Sequence, residues 1–150
     1  MLTETVKTLF NRDLNKLKSE IGSYKNEAIL WVVDKSIANS AGNLCLHLIG
    51  NLNTYIGATL GGSNYIRNRE LEFSLKDIPK QELIKMIEAT IIVVNETLNK
   101  ITEEQLNSEY PMLVFQEKTS TEFFLVHLTT HLAYHLGQIN YHRRLLDDEL

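Results

Sequence analysis

The sequence predicts an all-α protein, a four-helix bundle, on three observations. Four stretches carry apolar residues at spacings of three to four, no stretch keeps up strand-like alternation, and Gly or Pro falls near their boundaries. At 150 residues the chain is long enough to bury a core and reads as one domain, 1–150.

Residues 3–21 put Val6, Phe10, Leu14, Leu17 and Ile21 on one face, with Thr3 as a candidate cap and Gly22 as a stop. Residues 22–39 lack a sustained helical period and hold the only tryptophan, Trp31, which is expected to plug one end of the core. A second helix should start from Ser40 as N-cap and run to about Leu60. Its stripe is Leu44, Leu48, Leu52, Tyr55 and Thr59, with His47 and Asn51 along one edge and Gly61-Gly62 as the stop. Residues 63–77, polar and charged, read as a long connection. Pro79 is expected in the first turn of a third helix reaching about Ile101, and Pro111 marks the next connection. Thr119 and Glu122 have the form of a capping box for a fourth helix ending near Leu146, interrupted in propensity only by Gly137. Two of the connections are longer than a tight hairpin needs, which predicts crossover topology.

Composition narrows the function classes. A net charge of −4 and a pI near 5.7 leave no footprint for nucleic acid. No apolar run reaches membrane-spanning length, the single cysteine rules out an intrachain disulfide, and the N-terminus has no signal-peptide pattern. The expectation is a cytoplasmic protein without membrane or nucleic-acid partners. The terminal Asp-Asp-Glu-Leu, 147–150, has the form of an ER-retention tetrapeptide, but with no such leader ahead of it the match is read as accidental.

The stretch HLTTHLAYHLGQINYHRR, residues 127–144, holds four of the five histidines. Positions four apart on a helix differ by about 40°, so His127, His131 and His135 form one ridge. Phe124, Gln138 and His142 fall in the same sector, which turns the ridge inward. Buried imidazoles need hydrogen-bond partners or a metal. An i, i+4 pair can offer two ring nitrogens to one ion, but spacing leaves 127/131 and 131/135 equally open. Leu132 follows His131, so the glutamate base of an H-E-x-x-H protease is missing. A third neutral ligand must come from another helix, and His47 is the one histidine left to provide it. The competing reading is a stack of core imidazoles, the class to which His142 is assigned. Cys45, about 160° around its helix from His47, reads as structural.

Taken together, NSAGNLCLHLIGNLNTYI, GGSNYIRNRELEF and HLTTHLAYHLGQINYHRRLL resemble the DinB-like (YfiT-like) superfamily, and within it a branch of small bacterial proteins. The resemblance implies a four-helix bundle, often a homodimer, with one divalent metal ion on three histidines. Carried onto this chain, those are His47, His131 and His135. Zinc, nickel, iron and manganese all accept such a set. His127 then becomes a neighbour lining the pocket or bonded in the core, and Asn51 and Gln138 become pocket or supporting residues. The resemblance further implies a thiol-dependent S-transferase using a low-molecular-weight thiol, or a metal-dependent hydrolase; the alternative is a non-catalytic metal-binding stress or interaction protein. No catalytic base is evident, and the substrate is unknown. Tyr134 reads as a packed or interfacial aromatic, and Gly137 as a point of close approach for a helix or ligand. Arg67, Arg69, Glu70 and Glu72 read as a solvated charge network, or alternatively as a grip for an anionic substrate.

Overall fold

The computed structural model describes residues 2–148; Glu149 and Leu150, the end of the acidic tetrapeptide, lie outside the described residues. The chain is helical, with no strand among the described residues. The long elements are α1 (Leu2–Gly22), α2 (Ala41–Leu52), α4 (Lys80–Lys100) and α6 (Thr121–Leu146); the short ones are α3 (Arg69–Ser74) and α5 (Glu103–Asn107). α1 packs on α4 and α6, while α2 packs on α3, α4 and α6. All four long helices feed one hydrophobic core, in which Phe10, Leu14, Leu17, Leu48, Leu52, Leu83 and Phe124 are almost wholly enclosed. Thr3 lies inside the first turn of α1 rather than capping it.

Every residue of α2 is buried, which accounts for its largely apolar character, broken by the buried polar residues Asn43, His47 and Asn51. Ser40 caps it, its Oγ accepting the Asn43 N–H. At its N-terminal end the Trp31 ring lies against Gly42, where a Cβ would overlap the indole. The plug expected of Trp31 is seated by a short 3-10 turn, Glu27–Trp31. Beyond Leu52 the helix widens into a π turn, Asn53–Ala58, instead of continuing as α to Leu60. Tyr110 donates its hydroxyl hydrogen to the Tyr55 carbonyl in that turn, meeting an acceptor that the altered ladder leaves available.

Further helix boundaries differ from the sequence expectation. Pro79 precedes α4, and its carbonyl accepts the Glu82 and Leu83 N–H groups. Ser120, not Thr119, caps α6 by accepting the Phe123 N–H. The shift has a tertiary cause: Tyr110 N–H donates to Thr119 O and Thr121 N–H to Ser108 O, an antiparallel bridge that keeps the chain extended through Thr119. The capping box lies instead at α5, where Thr102 and Gln105 satisfy each other's backbone N–H groups. The stretch read as a bare connection, residues 63–77, contains α3.

Candidate metal centre

α2 contributes His47, and α6 contributes His131 and His135 one turn apart. The ring centroids are 5.1 Å apart for His47–His131, 5.3 Å for His47–His135 and 4.6 Å for His131–His135. One ring nitrogen from each lies within 4.8 Å of the other two. The Nε2 atoms of His47 and His131 are 3.2 Å apart. A tetrahedral ion with nitrogens at about 2.0–2.1 Å separates its ligands by about 3.3–3.4 Å, so this pair already stands at the edge length such an ion requires.

Local hydrogen bonds turn these nitrogens inward. His47 Nδ1–H donates to Glu72 Oε1 at 3.1 Å, and His135 Nδ1–H donates to Gln138 Oε1 at 2.7 Å. A neutral imidazole carries a single N–H, so in both rings the lone pair sits on Nε2. His131 directs Nε2 at His47, and its Nδ1 is buried without a hydrogen-bond partner. Burial first, then the neighbouring His135, His47 and His127, lower the His131 pKa to about 4. Burial also lowers that of His135, with the Gln138 bond opposing and His47 adding to it. His131 and His135 are therefore neutral imidazoles at neutral pH, the form that ligates metals. Three imidazole ligands can hold one divalent ion and leave coordination positions open.

Glu72 stands behind His47. It is 6% exposed, the one buried residue of α3. Arg67 clasps its carboxylate through Nε to Oε2 at 2.8 Å and Nη2 to Oε1 at 2.9 Å. Burial pushes the Glu72 carboxyl up, but the hydrogen bonds and charges of His47 and Arg67 outweigh it and hold the group below its ordinary range. The Phe73 ring lies 5.0 Å from that of His47.

Residues 2–150 match the profile of the family described as "protein of unknown function (DUF1572)". The chain belongs to this family. No curated protein matches it. Its fold is similar to that of a conserved protein from Enterococcus faecalis, with a TM-score of 0.76, 18% identity and 96% of each chain covered.

In this DUF1572 chain the remaining candidate residues fall around the three histidines. Asn51, one turn beyond His47, is buried, and its Oδ1 has no hydrogen-bond partner. His127 is half-buried at 6.3 Å from the His131 ring and packs edge-on against Phe115 at 4.7 Å. It lines an open cavity of about 890 Å³ with Phe115 and Phe123. At the other end of the ridge His135 and Gln138 line a cavity of about 770 Å³ walled by Ile37, Leu44, Tyr134 and Leu145. His142 is a satisfied core residue, donating from Nε2 to the Val32 carbonyl while Nδ1 accepts from the Tyr24 hydroxyl. Cys45 is buried within α2. Gly137 faces open space, where a Cβ would meet nothing within 4 Å, so no neighbouring element makes the close approach expected there.

Arg67 and Glu72 correct the expectation of a solvated network. They form a buried ion pair facing the site, while Arg69 and Glu70 stay exposed. Sequence reasoning passed over this pair because a six-residue polar helix has no periodicity to read. The available signal was Gly50, a glycine inside an apolar helix three residues after His47, where a close approach is expected.

Proposed function

We propose that this protein is a DinB-like four-helix bundle that holds one divalent ion on His47, His131 and His135 and uses it in thiol-dependent S-transfer. The observation that carries this reading is the convergence of three imidazole nitrogens within 4.8 Å. Bound there, the ion would supply Lewis acidity, lowering the pKa of a coordinated thiol or water.

The choice of thiol over water follows from what surrounds the histidines. A hydrolase of this kind gains from a carboxylate base beside the attacking water. Glu72, the carboxylate in contact with the site, has both oxygens engaged by Arg67 and His47 and lies on the far side of the His47 ring. A thiol ionised at the ion needs no such base. Two cavities flank the ridge, one at His127 and one at His135, as suits a reaction that joins two organic molecules. The bond formed is sulfur to carbon, the leaving group departs with its electron pair, and the thiol proton passes to solvent. His47, His131 and His135 bind, and Gln138 orients His135. Leu44, Tyr134 and Leu145 give the cavity beside His135 an apolar wall for the electrophile.

The test uses tag-free protein reconstituted with zinc, nickel, iron or manganese. Elemental analysis should give one ion per chain, and His131→Ala should lose it. Conjugation of chlorodinitrobenzene with a panel of low-molecular-weight thiols should follow the metal content. Stoichiometric metal with no turnover of thiols, esters or amides would leave a non-catalytic metal-binding protein as the reading. The homodimer implied by the resemblance is assigned to the exposed α6 stripe of Phe123, Val126, Tyr134 and Tyr141, and light scattering of the Tyr134→Glu variant checks it.

A further inference from the structure

The geometry points to Glu72 and Arg67 as positioning residues that hold His47 in its Nδ1–H tautomer, so that Nε2 faces His131 and His135. The effect on ion affinity rests on the metal reading above, whereas the tautomer is a property of the metal-free protein.

An ionised carboxylate only accepts hydrogen bonds, so Glu72 Oε1, at 3.1 Å and nearer to His47 Nδ1 than Arg67 Nη2 at 3.4 Å, makes that nitrogen the donor and leaves the lone pair of the neutral ring on Nε2. A flexible glutamate would enforce this weakly. Here the carboxylate plane is fixed by the two-pronged grip of Arg67, itself half-buried with its guanidinium 5.6 Å from the Tyr55 ring. Phe73, the next residue of α3, covers the His47 ring and limits its rotation.

The backbone is prepared for the same contact. Asn43, His47 and Gly50 lie within about 60° of arc on α2. Asn43 donates from Nδ2 to the carbonyls of Glu72 and Leu75, both at 2.9 Å, tying the end of α3 onto α2. Gly50 is a notch, since any Cβ there would overlap Glu72 Oε2. One anchor, one imidazole and one notch thus share a single face of α2, and α3 fills it with one buried side chain. Supporting carboxylates of this type orient ligating histidines, and their loss lowers metal affinity about 10–100-fold.

The test compares wild type with Glu72→Leu, which cannot accept the hydrogen bond, and Gly50→Ala, which displaces the carboxylate without altering any polar group. In metal-free protein labelled with 15N-histidine, long-range proton–nitrogen spectra assign the protonated nitrogen of His47. Wild type should show protonated Nδ1 and bare Nε2, and both variants should lose that preference. Zinc affinity, read by competition with a chromogenic chelator, should fall about 10–100-fold in both. If either variant fails to fold, Glu72→Asp, with a carboxylate one methylene too short, takes its place with the same expectation. A bare Nδ1 in wild type would overturn the proposal. So would variants that keep wild-type spectra and zinc affinity within about threefold, since Glu72 would then only anchor α3. If wild type takes up no zinc while the spectra change as expected, the metal reading fails and the positioning role stands.

Discussion

Gln138 and Cys45 are opposite cases of how one residue relates to the three histidines. Gln138 is exposed and three residues beyond His135, so its side chain reaches back over the ring and accepts from Nδ1. Gln138→Leu removes that acceptor at an exposed position, where it should leave the fold alone. The expected result is about a tenfold weaker ion affinity with an unchanged melting temperature of the metal-free protein, measured by chelator competition and calorimetry. Cys45 sits on the same helix as His47 but is enclosed in the core, and burial pushes its thiol up to about 12. The thiolate is the reactive form, so native Cys45 should resist iodoacetamide at pH 8 and be alkylated at once in denaturant; mass spectrometry of the two samples decides. Rapid native labelling would show that α2 opens far more readily than its packing implies.

Among the elements, α1 and α6 are joined by a polar clasp at the exposed edge of their apolar seam. Glu20 accepts from Arg143 Nε at 2.7 Å and from Asn140 Nδ2 at 2.6 Å. Burial raises the Glu20 carboxyl, but the bonds from Arg143 and Asn140 outweigh it and leave its pKa below the ordinary range. A carboxyl with a depressed folded-state pKa stabilises the fold above its unfolded value, about 4.3, and that contribution disappears as pH falls through the folded pKa. Glu20→Gln should therefore be less stable than wild type at pH 7, by no more than about 1 kcal/mol because the pair is partly solvated, and the gap should narrow as pH falls through the depressed folded-state pKa of Glu20. Urea titrations at pH 7 and pH 3.5 measure this. The long helices were legible because each buries a stripe of the period a helix imposes: Val6, Phe10, Leu14, Leu17 and Ile21 in α1 are all enclosed. α3 was not legible. Its buried residue is a carboxylate, the type that sequence patterning assigns to solvent, and the arginine that neutralises it lies outside the helix. The start of α6 moved by one residue because a backbone bridge to residues 108–110, invisible in local sequence, holds Thr119 extended. The histidine ridge could be read from i, i+4 spacing. Its convergence with His47 depends on how α2 packs on α6, which spacing does not encode.

At the scale of the molecule, the three histidines link two helices that are distant along the chain, α2 and α6. His47 and His131 are 84 residues apart. An ion on His47, His131 and His135 would therefore close a long loop across the core, between α2 and α6. It would add to stability through mass action, because an unfolded chain brings these nitrogens together only at a large entropic cost. With free zinc at a hundredfold excess over its dissociation constant, the gain is about 2.7 kcal/mol, or a rise in melting temperature of about 5–10 °C for a chain of this size. His131→Ala should abolish the rise. His142→Gln should keep it despite starting from a lower melting temperature, since that imidazole serves only Tyr24 and Val32 in the core. His127→Ala should also keep it, because its ring stands beside Phe115 and outside the convergent set. Scanning calorimetry of the four proteins with and without zinc separates linkage through the site from general stabilisation by a divalent cation. Equal shifts in all four would mean that the metal binds elsewhere, and loss of the shift in His127→Ala as well as in His131→Ala would move the ligand pair one turn towards the start of α6.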